Sequence, residues 1–167
     1  MRVSSLFLTA ALAAALPAQG SVLVQDVGLT MDGGILTVIY GQGCGPFTCA
    51  PFVAGGVGAG QPPRTVVVYG APSQVYVLAI DIANSAPCFP FPGIANALIL
   101  GVQPITLAIG LLGPGSTIAP CQQGRAGYQL SFPAGAPVGV QFQLQGLAMS
   151  PSQNVPAFTI ALQATIQ

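Results

Sequence analysis

Val66-Val67-Val68-Tyr69-Gly70-Ala71-Pro72-Ser73-Gln74-Val75-Tyr76-Val77-Leu78-Ala79-Ile80 decides the fold class. Two short β-branched and aromatic runs flank a Gly-Ala-Pro turn. Such side chains suit a pleated, half-buried surface, and the proline would remove a hydrogen bond from any helix drawn through it. The same grammar extends outward. From Val138 to Leu147, Val140, Phe142 and Leu144 alternate with Gln141, Gln143 and Gln145, and Phe158 to Ile166 keeps a period of two to the end, as half-buried strands do. At the other end Leu23, Val27, Leu29 and Met31 alternate, and Asp32-Gly33-Gly34 offers a hairpin turn into Ile35 to Tyr40.

Breakers punctuate the whole chain. With 22 glycines and 16 prolines in 167 residues, no long helix fits between them. Ile94 to Leu112 is nearly all apolar, but Gly101, Gln103 and Pro104 fall at its middle. A membrane helix would be broken there. Two strands, Ala97 to Leu100 and Ile105 to Leu112, joined by a Gly-Val-Gln-Pro turn, account for the same residues. The expectation is all-β: an antiparallel β-sandwich of about 8–9 strands, Ig-like or jelly-roll-like, with helices no longer than about two turns. The echo between residues 70–78 and 135–143, each a turn running into an alternating strand, follows from like hairpins and implies no duplication.

Residues 1–18 have the pattern of a secretory signal peptide. Met1-Arg2 gives a positive start, Val3 to Leu16 a short apolar region, and Ala18 a small residue before Gln19. The segment is too short and too proline-broken to span a bilayer. Four cysteines, Cys44, Cys49, Cys88 and Cys121, then read as two disulfides in an oxidising compartment. Four cysteines allow three connectivities; the turn-rich loop Cys44-Gly-Pro-Phe-Thr-Cys49 favours Cys44–Cys49 with Cys88–Cys121. Ala54 to Pro63 is glycine-rich and ends in Pro62-Pro63, the composition of a linker or long loop. The chain therefore divides into an amino-terminal β-hairpin extension, 19–63, with its local disulfide, and a β-sandwich domain, 64–167. One continuous sheet system accommodates the same segments.

Charge excludes much chemistry. Lysine, histidine and glutamate are absent, and the chain holds only three arginines and three aspartates. Serine nucleophiles lack a base of the usual kind, and glycoside hydrolysis lacks a carboxylate pair. Two arginines beyond the leader, Arg64 and Arg125, make no surface for nucleic acid. Asp81 and Asn84 supply too few oxygens for calcium, and Asp26 and Asp32 read as surface or turn residues. No catalytic residue, cofactor or metal ligand is assigned. Fifteen glutamines, in place of charged residues, make the glutamines of the alternating strands candidates for an uncharged wet face.

Some of these turns and strands have a familiar order. The turn Gly70-Ala71-Pro72 before an apolar strand, the later cysteine-bearing loop, the strand with Phe-Gln character, and the run Pro151-Ser152-Gln153-Asn154 leading to Phe158-Thr159-Ile160-Ala161-Leu162-Gln163-Ala164-Thr165-Ile166-Gln167 together resemble the carboxy-terminal β-rich domains of secreted planctomycete proteins. The resemblance covers about residues 64 to 167 and implies secretion and a β-sandwich, with no activity attached. The chain departs from that pattern in lacking a tryptophan after the glutamine strand and in its amino-terminal extension.

Two functional expectations follow. The first is a secreted, non-catalytic structural or self-assembling protein of the cell envelope or extracellular space, since a chain without net charge lacks the repulsion that keeps copies apart and strand edges invite pairing. The second is an extracellular module that binds glycan or another polymer through exposed aromatics. Phe89 and Phe91, in Cys88-Phe89-Pro90-Phe91-Pro92, are the candidate loop; the competing reading has both rings capping the sandwich.

Overall fold

The computed structural model describes residues 23–32, 47–82, 88–101, 103–115 and 123–167. Twelve strands form among them: β1 (Gly28–Met31), β2 (Phe52–Val53), β3 (Arg64–Gly70), β4 (Val75–Ile82), β5 (Phe89–Pro90), β6 (Ala97–Leu98), β7 (Ile105–Leu111), β8 (Gly113–Pro114), β9 (Gly124–Leu130), β10 (Gln141–Met149), β11 (Pro156–Phe158) and β12 (Leu162–Thr165). The all-β expectation holds; the twelve exceed about 8–9 but are compatible with a sandwich, since four of them (β2, β5, β6 and β8) are two residues long. The signal peptide expected at 1–18 and the strand expected at Ile35 to Tyr40 lie outside the described residues.

A smaller sheet runs β1-β3-β9-β8 and a larger one β2-β12-β10-β4-β7, with β11 alongside β10. Pairing is antiparallel except between β12 and β2. Leu29 and Met31 of β1 stand opposite Val68 and Val66 of β3. These meet Tyr76 and Leu78 of β4, Phe142 and Leu144 of β10, and Leu162 and Ala164 of β12 in one core cluster. Burying each large aliphatic chain there contributes about 1.5–3 kcal/mol. The sheets come close at Gly146, where a Cβ would lie 3.3 Å from Val68 Cγ1 of the facing sheet.

The Gly70-Ala71-Pro72 turn does not make a hairpin. It carries the chain from β3 in one sheet to β4 in the other. A Cβ on Gly70 would sit 2.9 Å from the carbonyl oxygen of Met149, so this corner requires glycine. The chain changes sheets again between β7 and β8, past the buried Leu112.

The final alternating run is interrupted, contrary to the reading of Phe158 to Ile166 as one strand. Leu147 pairs with Phe158, but Leu144 pairs with Leu162, so Gln145 and Gly146 oppose the three residues 159–161, a β-bulge. The Thr159 hydroxyl accepts the N–H of Gly146, and the N–H of Thr159 donates to the Gly146 carbonyl. Buried positions pass from Ala157, Thr159 and Ala161 to Leu162, Ala164 and Ile166, which is the switch of parity that one extra residue imposes.

Residues 54–59, part of the stretch 54–63 read as a linker or long loop, run beside other strands. Val57 bridges Ile166 and Ala59 bridges Phe132, both in parallel. β1 pairs directly with β3, so the described parts of 19–63 share both sheets with 64–167.

One disulfide is described, Cys49–Cys88, with Cα atoms 5.4 Å apart. It overturns the expected Cys44–Cys49 and Cys88–Cys121 pairing. The strand ladder, not the local turn, sets the partner: β2 follows Cys49 at the edge of the larger sheet, and β5 follows Cys88 in a ribbon with β6. Cys44 and Cys121 lie outside the described residues.

Candidate functional site

The outer face of the larger sheet is where the chain departs furthest from its pattern. Gln141, Gln143 and Gln145 alternate as expected, yet Gln143 and Gln145 are only 4% and 2% exposed. The wet-face reading is therefore wrong for these two. Gln145 lies where the β5–β6 ribbon is stitched to the sheet: its Oε1 accepts the N–H of Ile99 at 2.8 Å, and its Nε2 donates to the carbonyls of Ala97 and Thr159, both at 2.9 Å. Gln143 donates to Gln163, which donates to Gln141. A primary amide has two donor hydrogens and an acceptor oxygen, so it satisfies a buried backbone as well as it satisfies water.

The same end of the sheet holds Asn96, at φ +61° and buried. Its Oδ1 accepts the N–H of Val24, and its Nδ2 donates to the carbonyls of Val24 and Phe158. The side chain thereby pins the start of the described chain to the ribbon and to β11. Asp26, read as a surface or turn residue, is buried, at 9% exposed. Its carboxylate accepts the Ser150 hydroxyl at 2.7 Å and the N–H of Ser152 at 2.7 Å, and Ser150 Oγ also accepts the N–H of Gln153. Carboxylate and hydroxyl together hold a turn. Asp32, at φ +50°, pairs with Arg64 at 2.8 Å and accepts the N–H of Thr65. Asp81 accepts the N–H of Ile82; Asn84 lies outside the described residues.

Toward the other end the outer face turns apolar. Ladder registers align Phe158, Leu147, Val77 and Ile109 in one row across β11, β10, β4 and β7. Beside it Val75 stands opposite Leu111. These six side chains alternate with the core residues of their strands and lie outside the core cluster. Val75, Ile109 and Leu111 are 55–68% exposed. β7, with Ile105 also 67% exposed, forms the edge of the sheet.

Phe89 and Phe91 lie on the ribbon above this face. Each is a little over two-fifths exposed, and the Phe91 ring packs on Phe158 with centroids 5.9 Å apart. With Leu98, Gly101 and Pro104 they line an open apolar groove of about 300 Å³. The fold brings these two predicted residues beside the apolar row but gives them no charged or amide companion in the groove lining. Sequence reading missed Gln145, Asn96 and Asp26. Only Asn96 carried a signal, as a lone asparagine near the start of an apolar run.

Among the described residues no three His, Cys, Asp or Glu side chains converge, and no helix is long and apolar enough to cross a membrane. No family model, curated protein or solved structure matches the chain.

Proposed function

We propose that this chain is a secreted, non-catalytic structural protein of the cell envelope or extracellular space that associates with copies of itself. The observation that carries the reading is the apolar end of the larger sheet's outer face, open at its β7 edge with Ile109 and Leu111 each at least 65% exposed. Soluble monomers blunt such edges with charge, proline or cover. The described disulfide is compatible with an extracellular protein, and the scarcity of acid–base side chains favours a role without catalysis. The test is light scattering on the exported, disulfide-intact protein without added ligand. Self-association in dilute neutral buffer is expected; a strictly monomeric protein at all concentrations overturns the reading.

A second reading, an extracellular module for glycan or another polymer, is favoured by the groove at Phe89 and Phe91. Co-sedimentation with insoluble polysaccharide, lost in Phe89→Ala and Phe91→Ala, would select it over the first.

A further inference from the structure

Among the described residues the two main sheets have four edges, and three of them are blunted. β8 is two residues long and contains Pro114. β2 is two residues long, follows Pro51, and lies four residues or fewer from Cys49, which is tied to Cys88. β1 is four residues long and buried along its whole length. The fourth edge, β7, runs seven residues without proline or charge. Its protective features are Pro104 just before it and the bulge at Leu107, where Leu78 pairs with Ala108 but Ala79 pairs with Thr106. Ala108 to Leu111 remain as a regular stretch with exposed aliphatic chains, the pattern that natural edges avoid.

We propose that β7 is the docking site for a second copy of this chain, paired edge to edge and antiparallel about a two-fold axis, so that the two larger sheets become one. The proposal rests on the self-association reading above and specifies its surface and its stoichiometry. A two-fold interface must be complementary to itself. β7 meets this condition because its outward aliphatic chains, Ile109 and Leu111, would meet their own kind, and no charge on β7 would oppose its copy. Val77, Leu147 and Phe158 stand in the same row as Ile109, so pairing would continue an apolar stripe from one copy into the next. That only one long edge among the described residues is open also sets the number. Pairing β7 with β7 uses the one long exposed edge among the described residues, and assembly through strand pairing ends at two copies. A filament would need a second edge of this kind.

Sedimentation velocity on the intact protein over a range of concentrations, together with Ile109→Lys, Leu111→Lys and the loop control Val138→Lys, decides the matter. Both β7 positions are exposed, so either lysine leaves the core untouched; two variants guard against misfolding of one. The expected result is a concentration-dependent monomer–dimer equilibrium for the parent and for Val138→Lys, loss of the dimer in both β7 variants, and slowed amide exchange on β7 as concentration rises. A monomeric parent would overturn the proposal and the self-association reading together. Association that survives both β7 lysines would overturn the β7 interface and leave self-association standing. Growth beyond two copies would overturn the two-fold, closed arrangement.

Discussion

The two ends of the larger sheet's outer face invert the usual assignment of polar and apolar surface. At one end Gln143 and Gln145 are buried, with the β5–β6 ribbon bonded to Gln145; at the other Val75, Ile109 and Leu111 stand in solvent. The difference lies in what each end offers the backbone. The ribbon crosses the sheet where an amide satisfies its peptide groups. It cannot be satisfied over aliphatic chains, where buried N–H and C=O groups would go unpaired. Cover at Gln145 therefore follows hydrogen-bonding capacity, while the Phe91 ring reaches only Phe158 at the near end of the apolar row.

The sharpest way to break this comparison is at Gln145. Gln145→Met keeps the shape but leaves the Ile99 N–H and the carbonyls of Ala97 and Thr159 without that partner. At about 1–3 kcal/mol for each stranded group, a loss of roughly 3–5 kcal/mol is expected in denaturant unfolding. A loss below about 1 kcal/mol would mean that the ribbon is not held by the amide.

The disulfide tests the same ribbon from its other end. Cys49 and Cys88 are separated by 39 positions, and the double serine variant should lose about 4 kcal/mol by the chain-entropy estimate. Non-reducing peptide mapping should recover Cys49 joined to Cys88. A Cys44–Cys49 peptide would refute the ladder-determined pairing.

Asp26 gives a smaller effect, because its turn lies at the rim. Asp26→Ala removes the acceptor for the Ser150 hydroxyl and the Ser152 N–H. A loss of about 1.5–3 kcal/mol is expected, since bonds to a charged acceptor exceed neutral ones. Thermal melts showing no change would return Asp26 to the surface role its sequence context suggested.

These residues also mark where the sequence was legible. Period and breakers placed β3, β4, β7 and β10, because a pleated strand shows its two faces as alternation. They did not show that Gly70 turns a corner between sheets, since a hairpin and a corner need the same turn residues. Nor did alternation reveal what lies over a face: Gln143 in the interior and Gln141 in solvent are the same residue type in the same pattern. Disulfide partners were illegible for a related reason, because Cys49 meets Cys88 through the folded sheets rather than through the chain between them. Phe89 and Phe91 stand out in the sequence as two rings set among prolines, but the row that joins Phe158 to Ile109 exists only in the registers of four strands.

The smallest expected effect is none, and it bears on both ends of the comparison. Neutral amides hold one end and aliphatic chains line the other; neither titrates. The chain lacks histidine, lysine and glutamate, so no side-chain type present has an ordinary pKa between about 5 and 8. The Arg64–Asp32 pair is the one ion pair among the described residues. With the arginine side chain 41% exposed, such a pair contributes at most about 1 kcal/mol, and salt screens it. Melting temperature and self-association should both stay flat from about pH 5 to pH 8 and change little with moderate sodium chloride. A polymer binder steered by charge, or a dimer held by ion pairs, would respond to salt; strand pairing between uncharged edges would not. Dissociation of the assembly on adding salt, or a steep transition near neutral pH, would show that Arg125, Asp81 or a residue outside the described segments contributes at the interface, and the apolar β7 edge would lose its claim to it.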